Sequence, residues 1–339
     1  MMLALPYKNF SANRNISHIG LGVAAINTAK MLKASGIDVR IWPIVSAQDL
    51  SLQLAANPAV THAAVSAPWI PTLDFQRLLT AFPHIEFVVN CHSNVGFLGA
   101  DTNGVVLIRQ YLNLAMANLN FHVAANSLRG SRWLDGVYEQ DAHRVLYLPN
   151  LYFLENPDTN RPLWTSGILR IGIFGAIRPL KNFASAVAAA MQIGRDLRAD
   201  LEITMSSGRT EGGGDGVLAS IRAMVDKVPR VTLKESGWQT WPEFRALVRS
   251  MNLLIQPSYT ESFNMVTADG VAEGVPSVVS EAIDWAPPHW QAPVDDAIGI
   301  ARVGRTLLAD RYAAEEGVEA LEAHNEQGIR SWKQWLRVA

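Results

Sequence analysis

Twice along this chain, short apolar runs rich in β-branched residues alternate with longer stretches of helical character. In the first series, residues 3–5, 38–42, 63–66, 86–90, 122–125 and 144–148 read as strands. Residues 24–35 read as a helix that Gly36 ends. The series restarts with strands at 169–174, 201–205, 231–233, 252–256 and 277–280, and helices at 183–196, 217–226, 242–250 and 297–310. Residues 155–162 lie between the two series, are polar and hold two prolines, and read as a linker. Alternation of this kind argues for a parallel sheet with helices on both faces. The expectation is an α/β chain of two Rossmann-like, doubly wound domains, with ligands beyond the carboxyl ends of the strands in a central cleft that both domains face. The expected bounds are 1–155 and 163–324, followed by a Trp-rich amphipathic helix at 325–339. That helix either crosses back to the first domain, anchored by Trp332 and Trp335, or packs on its own domain. Trp285 and Trp290 read as packing between the domains.

At 339 residues, 49% apolar and 18% charged, the chain is long enough and apolar enough for two real cores. A formal charge of −2 gives no global pull toward nucleic acid or anionic membrane. A single cysteine, Cys91, excludes an intramolecular disulfide and fits a reducing cytosol. No apolar run approaches the ~20 residues of a spanning helix, and the N-terminus lacks the layout of a signal peptide. A cytoplasmic location is the expectation. Residues 212–216 are glycine-rich and read as a flexible loop.

Residues 252–280 carry the most chemistry. They read as a buried strand, a turn with Glu261, a helix starting near 262–264, and a second strand. The first N–H groups of such a helix have no partner inside it, and its macrodipole is positive at that end. It therefore suits a phosphate. Asp269 follows Glu261 by eight residues, on the far side of the phosphate position. Acids on both sides of a diphosphate suit a ligand with hydroxyls at each end, as in a nucleotide-sugar.

This segment, from Pro257-Ser258 through Glu261, Asp269 and Gly274-Val275-Pro276, resembles the signature of family-4 retaining glycosyltransferases (group 1 glycosyl transferases) of the GT-B fold. It departs in two places: the second acid is Asp269 where the family usually has Glu, and Asn264 stands where the family usually has Gly. Further elements are similar to that family. Residues 172–182 resemble its strand–Gly-Arg–loop–Lys element, in which the cations bind the donor diphosphate. Lys181 matches the Lys; Ala176 stands at the usual Arg position, and Arg178, two residues on, is the substitute. The glycine loop at 16–23, with Gly20 and Gly22, resembles the family's donor-phosphate loop. It also fits a weak dinucleotide fingerprint, Gly20-x-Gly22-x-x-Ala25, although the segment before it is polar and makes a poor strand. The chain opens with hardly a strand before this loop, as in a compact variant of the family.

His92 ends a strand where the family places a histidine near the transferred sugar, with Asn90 and Ser93 as weaker neighbours. Asn126 and Ser127 match a strand-end element of the family and also read as a helix N-cap. Pro149-Asn150 matches its Pro-Asn and reads as structural. Trp238 lies in the loop that borders the nucleobase in the family, or packs. Asp295-Asp296 resembles a metal-binding Asp-x-Asp only superficially and reads as the opening of a helix.

The resemblance implies an enzyme (EC 2.4, hexosyltransferase-like) that moves a sugar, with retention and no metal, from a UDP-, GDP- or ADP-sugar to a hydroxyl of a saccharide, lipid or small molecule. Nucleic acid is a less expected acceptor. It implies Glu261 on the donor sugar and His92 at the reaction centre. Lys181, Arg178 and the N–H groups of Phe263, Asn264, Met265 and Val266 would hold the diphosphate, and Asp269 the ribose. Two rival readings stand beside it: an NAD-dependent oxidoreductase using the Gly20–Gly22 loop, and a GT-B sugar-nucleotide binder or epimerase without transfer.

Overall fold

The computed structural model describes residues 1–9, 18–138, 145–237 and 239–338, with the side chains of residues 18, 19 and 138 left undescribed. The chain divides into two compact units, Met1–Phe153 with His324–Ala339 and Leu154–Ala323.

The first unit is built on β1 (Met2–Lys8), α1 (His18–Ala34), β2 (Asp38–Ile44), α2 (Ala47–Ala56), β3 (Val60–Ser66), α3 (Thr72–Ala81), β4 (Glu86–Cys91), the short α4 (Val95–Leu98), α5 (Thr102–Ala117), β5 (Phe121–Ala125), α6 (Leu128–Tyr138) and β6 (Val145–Tyr147). The strands form one parallel sheet in the order β2-β1-β3-β4-β5-β6. Alternate residues of each strand feed two cores, which is why the strands read as unbroken apolar runs. Ala63, Val65, Phe87, Val89 and Val123 pack on one face, around the T-shaped aromatic pairs of Phe75 with Phe87 and Tyr111. Ala64, Val88 and Ala124 pack on the other face with Leu32 of α1 and with Trp332 and Trp335.

Two expectations are corrected here. The first strand is seven residues long, since its register with β2 runs from Met2 to Lys8. Pro6, which has no N–H to give, stands where the pairing of β1 with β3 is interrupted, between Ala4–Ala63 and Tyr7–Ser66. The expected loop at 16–23 is helical from His18 onward, so Gly20 and Gly22 lie in the first turns of α1. The ~1 kcal/mol cost of glycine in a helix is outweighed by packing of Ala24, Ala25, Ala29 and Leu32, all buried. At Gly22 the missing side chain has a local reason. A Cβ there would lie 3.3 Å from the ring of Tyr7.

The second unit comprises β7 (Ile168–Ile173), α7 (Phe183–Asp196), β8 (Asp200–Ser206), α8 (Gly214–Val225), β9 (Val231–Ser236), α9 (Trp241–Arg249), β10 (Leu253–Gln256), α10 (Met265–Ala272), β11 (Ser277–Val279) and α11 (Ala297–Ala309). Its parallel sheet has the order β11-β10-β7-β8-β9. The glycines at 212–216 do not form a loop throughout. Gly212 and Gly213, both at positive φ, make the turn, and Gly214 opens α8. Asp296 caps α11, accepting from Gly299 N–H at 2.8 Å. The linker is pinned to this unit: Arg161 donates to the carbonyl of Met251 at 2.9 Å.

The last helix, α12 (Ala313–Leu336), starts well before residue 325. Its residues through Ala323 belong to the second unit and those from His324 to the first. Trp285 and Trp290 each have a packing partner in the second unit. Trp285 stacks on Phe263, with ring centres 5.4 Å apart, and Trp290 is fully buried beside Gly317. Among the described residues no helix is long and apolar enough to cross a membrane.

Candidate functional site

In the second sheet, the connections run one way from β7 through β8 to β9 and the other way from β10 to β11. The reversal falls between β7 and β10, where open α/β sheets leave a crevice at the carboxyl ends of the strands. The loops after these two strands are residues 174–182 and 257–264. Tyr259 N–H donates to the Leu180 carbonyl at 3.0 Å, and the Asn182 amide to the Pro257 carbonyl at 3.1 Å. Those bonds hold the two loops together.

On that scaffold Lys181 Nζ donates to Glu261 Oε1, and the Lys181 and Glu261 side chains are only 13% and 6% exposed. The same carboxylate oxygen accepts from Ser258 Oγ at 2.8 Å and Asn264 Nδ2 at 3.0 Å. Glu261 Oε2 takes no hydrogen bond from the described residues, which leaves it open to a ligand hydroxyl. Asn264 explains its own departure from the family pattern. Its φ is +66°, the left-handed region that favours glycine and that asparagine tolerates best among the other residues. It also caps α10, its Oδ1 accepting from Thr267 N–H at 2.9 Å. Met265 and Val266 N–H then face outward at the helix start with no acceptor inside the helix. Phe263 is buried, and its carbonyl accepts from the Trp285 indole at 2.5 Å.

Asn264→Ala should therefore lose the cap, lose a bond to Glu261 and strain the backbone. A destabilisation of about 2 kcal/mol is expected, and Asn264→Gly should lose clearly less in chemical unfolding. Equal losses would show that the backbone conformation is not what the position requires.

The remaining candidates are arranged differently. Asp269 is buried, and its Oδ1 accepts from the Trp241 indole at 2.9 Å, so a side chain of α9 already shares this acid. Arg178 is bound to Glu211 Oε2 at 3.3 Å, and Arg209 to Oε1 of the same carboxylate. The loops after β7 and β8 are joined by a parallel bridge between Ile177 and Thr210, which sets Arg178 beside Glu211 and Ala176 opposite Arg209. Sequence reading missed Arg209 and Glu211, because nothing in a sequence announces a bridge between two loops. Glu273, the third acid of the signature segment, is taken by Arg245 and Arg249, both at 2.5 Å. Trp238 lies outside the described residues. One donor group outside the candidates, His289, Asp310 and Glu316, has ligand atoms within 4.8 Å of one another.

The first unit has a reversal of its own, between β1 and β3. A small cavity lies there, lined by Ser66, Asn90, His92, Thr28, Asn150 and Trp332. His92 Nε2 is 3.1 Å from Ser66 Oγ. Burial pushes its pKa down to about 4, so the ring is neutral near pH 7. Asn90 donates to the Leu148 carbonyl at 2.9 Å, while its buried Oδ1 has no partner among the described residues. Ser127 caps α6, accepting from Gly130 N–H at 3.0 Å. Asn150 sits in a strip fastened by side chains of α1 and α12. Trp332 donates to the Pro149 carbonyl at 3.0 Å, Leu151 N–H to Thr28 Oγ1 at 3.2 Å, and Asn325 bonds both backbone groups of Tyr152. Ser93, half-buried, adds nothing further to the cavity. Cys91 is buried and its thiol is pushed up to about 12, which makes it inert.

The depressed His92 pKa has a sign. The unfolded chain takes up a proton near 6.5 and the folded one only near 4. The neutral ring therefore contributes full stability above pH 6.5, and that contribution is lost as pH falls toward 4. Unfolding of His92→Gln should show a flatter pH profile across that window. An unchanged slope would mean that His92 does not titrate this way.

No protein-family model matches the chain, and no curated protein matches it in sequence. Solved structures do match. Sucrose-phosphate synthase from Thermosynechococcus elongatus is 18% identical with a TM-score of 0.65, over 99% of this chain and 98% of that one. Anabaena HepE in complex with UDP and glucose is 15% identical with a TM-score of 0.63, over 98% of both chains. An alpha-glucosyltransferase in complex with UDP-glucose and abasic DNA is 11% identical with a TM-score of 0.62, over 95% of this chain and 94% of that one. This chain also spans about half of S. aureus TarM, 55% of its length, at 14% identity and a TM-score of 0.56. The fold is GT-B, with two Rossmann-like units. Both glycines of the weak dinucleotide fingerprint lie inside α1, not in the turn before it, which removes the basis for an NAD site there.

Proposed function

We propose that this protein is a glycosyltransferase that moves a sugar from a nucleotide-diphosphate donor to a hydroxyl acceptor. The observation that carries this is the cluster of Lys181, Glu261 and Asn264 between β7 and β10, next to the start of α10. A cation, outward N–H groups and a carboxylate with one open oxygen are the groups a diphosphate bonded to a polyhydroxyl ring requires. The UDP and UDP-glucose held by similarly folded proteins support the reading.

In this proposal Lys181 and the N–H groups of Met265 and Val266 hold the diphosphate, with Arg178 as a further cation. Glu261 Oε2 accepts from a hydroxyl of the donor sugar, and Asp269 serves the ribose beside Trp241. The bond from the anomeric carbon to the phosphate oxygen breaks, and the acceptor oxygen bonds the same carbon on the same face. The acceptor's proton passes to the departing phosphate, so no protein nucleophile is needed and the configuration is retained. Fixed positive charge in a site screened from water stabilises the charge gathering on the leaving group. The reaction as written uses no metal. His92, in the first unit, contacts a hydroxyl of the sugar or the acceptor. Binding without transfer is the rival reading that remains.

The test is a thermal-shift panel of UDP-, GDP- and ADP-sugars followed by labelled-donor turnover with and without EDTA. Stabilisation by one nucleotide class and turnover within about twofold under EDTA are expected. Failure of all three classes to bind would remove the proposal; binding with neither transfer nor hydrolysis would leave the non-catalytic reading.

A further inference from the structure

The cavity at the β1/β3 reversal contains a hydrogen bond between residues 26 positions apart, Ser66 Oγ and His92 Nε2. Ser66 is 8% exposed and is the register partner of Asn90 on the neighbouring strand. The next residue, Ala67, has φ +68°, and its N–H donates to the Asn90 carbonyl at 2.9 Å. Alanine in the left-handed region costs about 1–2 kcal/mol. Strain of this kind persists only where the surroundings over-determine it, and it clusters at functional sites. Here it ends β3 with Ser66 held against the end of β4.

We infer that Ser66 is a positioning residue that orients the imidazole of His92 and sets its tautomer, so that Nδ1–H is offered to a ligand oxygen. The argument is one of hydrogen-bond satisfaction. His92 Nε2 is the sole partner of the Ser66 hydroxyl among the described residues. A buried hydroxyl proton without an acceptor costs more than an unused oxygen lone pair. Ser66 therefore donates, Nε2 accepts, and the ring proton sits on Nδ1, which has no partner among the described residues. The ring is neutral near pH 7 and carries one proton, so the tautomer decides what it offers. Asn90 Oδ1 in the same cavity is an acceptor that no described residue occupies. Together they fit a hydroxyl-bearing ligand that donates to Asn90 and accepts from His92. The role in turnover rests on the glycosyltransferase reading; the tautomer does not.

The experiment has two arms on the full chain. In the first, 15N NMR of labelled histidine should show His92 protonated at Nδ1 in the wild type and in Ser66→Thr, and at Nε2 in Ser66→Ala. A wild-type ring protonated at Nε2, or one that keeps Nδ1–H in Ser66→Ala, overturns the inference whatever the protein's activity. In the second, Ser66→Ala should lower kcat about tenfold with the donor KM nearly unchanged, and Ser66→Thr should recover it to within about threefold. Equal loss in both variants would mark Ser66 as merely structural. If no nucleotide-sugar is turned over at all, the functional proposal fails and the NMR arm still decides the inference.

Discussion

Lys181→Ala is expected to lower kcat about 100- to 1,000-fold, the usual cost of removing one preorganised group from a developing anion. The fold should survive. Lys181 sits in a short 3-10 turn, not in a core, and Asn182 keeps the loop attached through the carbonyls of Pro257 and Val294. Removing the ammonium also takes away the one cation that Glu261 Oε1 pairs with among the described residues. The carboxylate retains Ser258 Oγ and Asn264 Nδ2, so it is not left bare. Turnover of a labelled nucleotide-sugar, read beside a melting curve, checks this. Unchanged kcat in a folded variant would detach Lys181 from the chemistry.

Glu261→Ala should show a double loss. The Glu261 side chain is 6% exposed and neutralises a lysine that is 13% exposed. Removing one partner of a buried pair strands the other, at about 3 kcal/mol or more. The acceptor for the donor sugar's hydroxyl disappears as well, so kcat/KM should fall at least 100-fold. Glu261→Gln separates the two effects. It keeps an acceptor oxygen for Ser258 and Asn264 and restores packing, but offers the sugar a weaker, uncharged partner. Stability nearer the wild type with kcat/KM still down about tenfold or more is the expected pattern. Full activity in Glu261→Gln would mean that the carboxylate charge serves Lys181 alone.

The architecture was legible because the strands are covered on both faces. Residues 87–89 and the alternate residues Leu169, Ile171 and Ile173 are apolar and buried, and α7 emerged with the bounds its pattern predicts. Parts set by distant partners were not legible. The polar segment before residue 18 hid the start of α1, and residues 313–324, rich in Ala and Glu, have helix propensity without marking that they run on into the Trp-rich helix. In the site, Glu261, Lys181 and Asn264 were readable because local motifs carry them, and they do meet. The Arg178–Glu211–Arg209 arrangement depends on a bridge between loops 33 positions apart, and the Ser66–His92 bond on the β3–β4 register. Neither spacing exists in the sequence until the sheets form.

The core of the first unit includes Trp332, Trp335 and Leu336, and the backbone of Tyr152 is paired by Asn325. During synthesis, residues 1–153 therefore wait with one face of their sheet unfinished while the whole second unit, Leu154–Ala323, is made. The second unit has all its own strands and helices first and can close before the earlier one. A chain interrupted anywhere before Leu336 leaves apolar strand surface uncovered, which marks nascent or clipped molecules as the aggregation-prone forms.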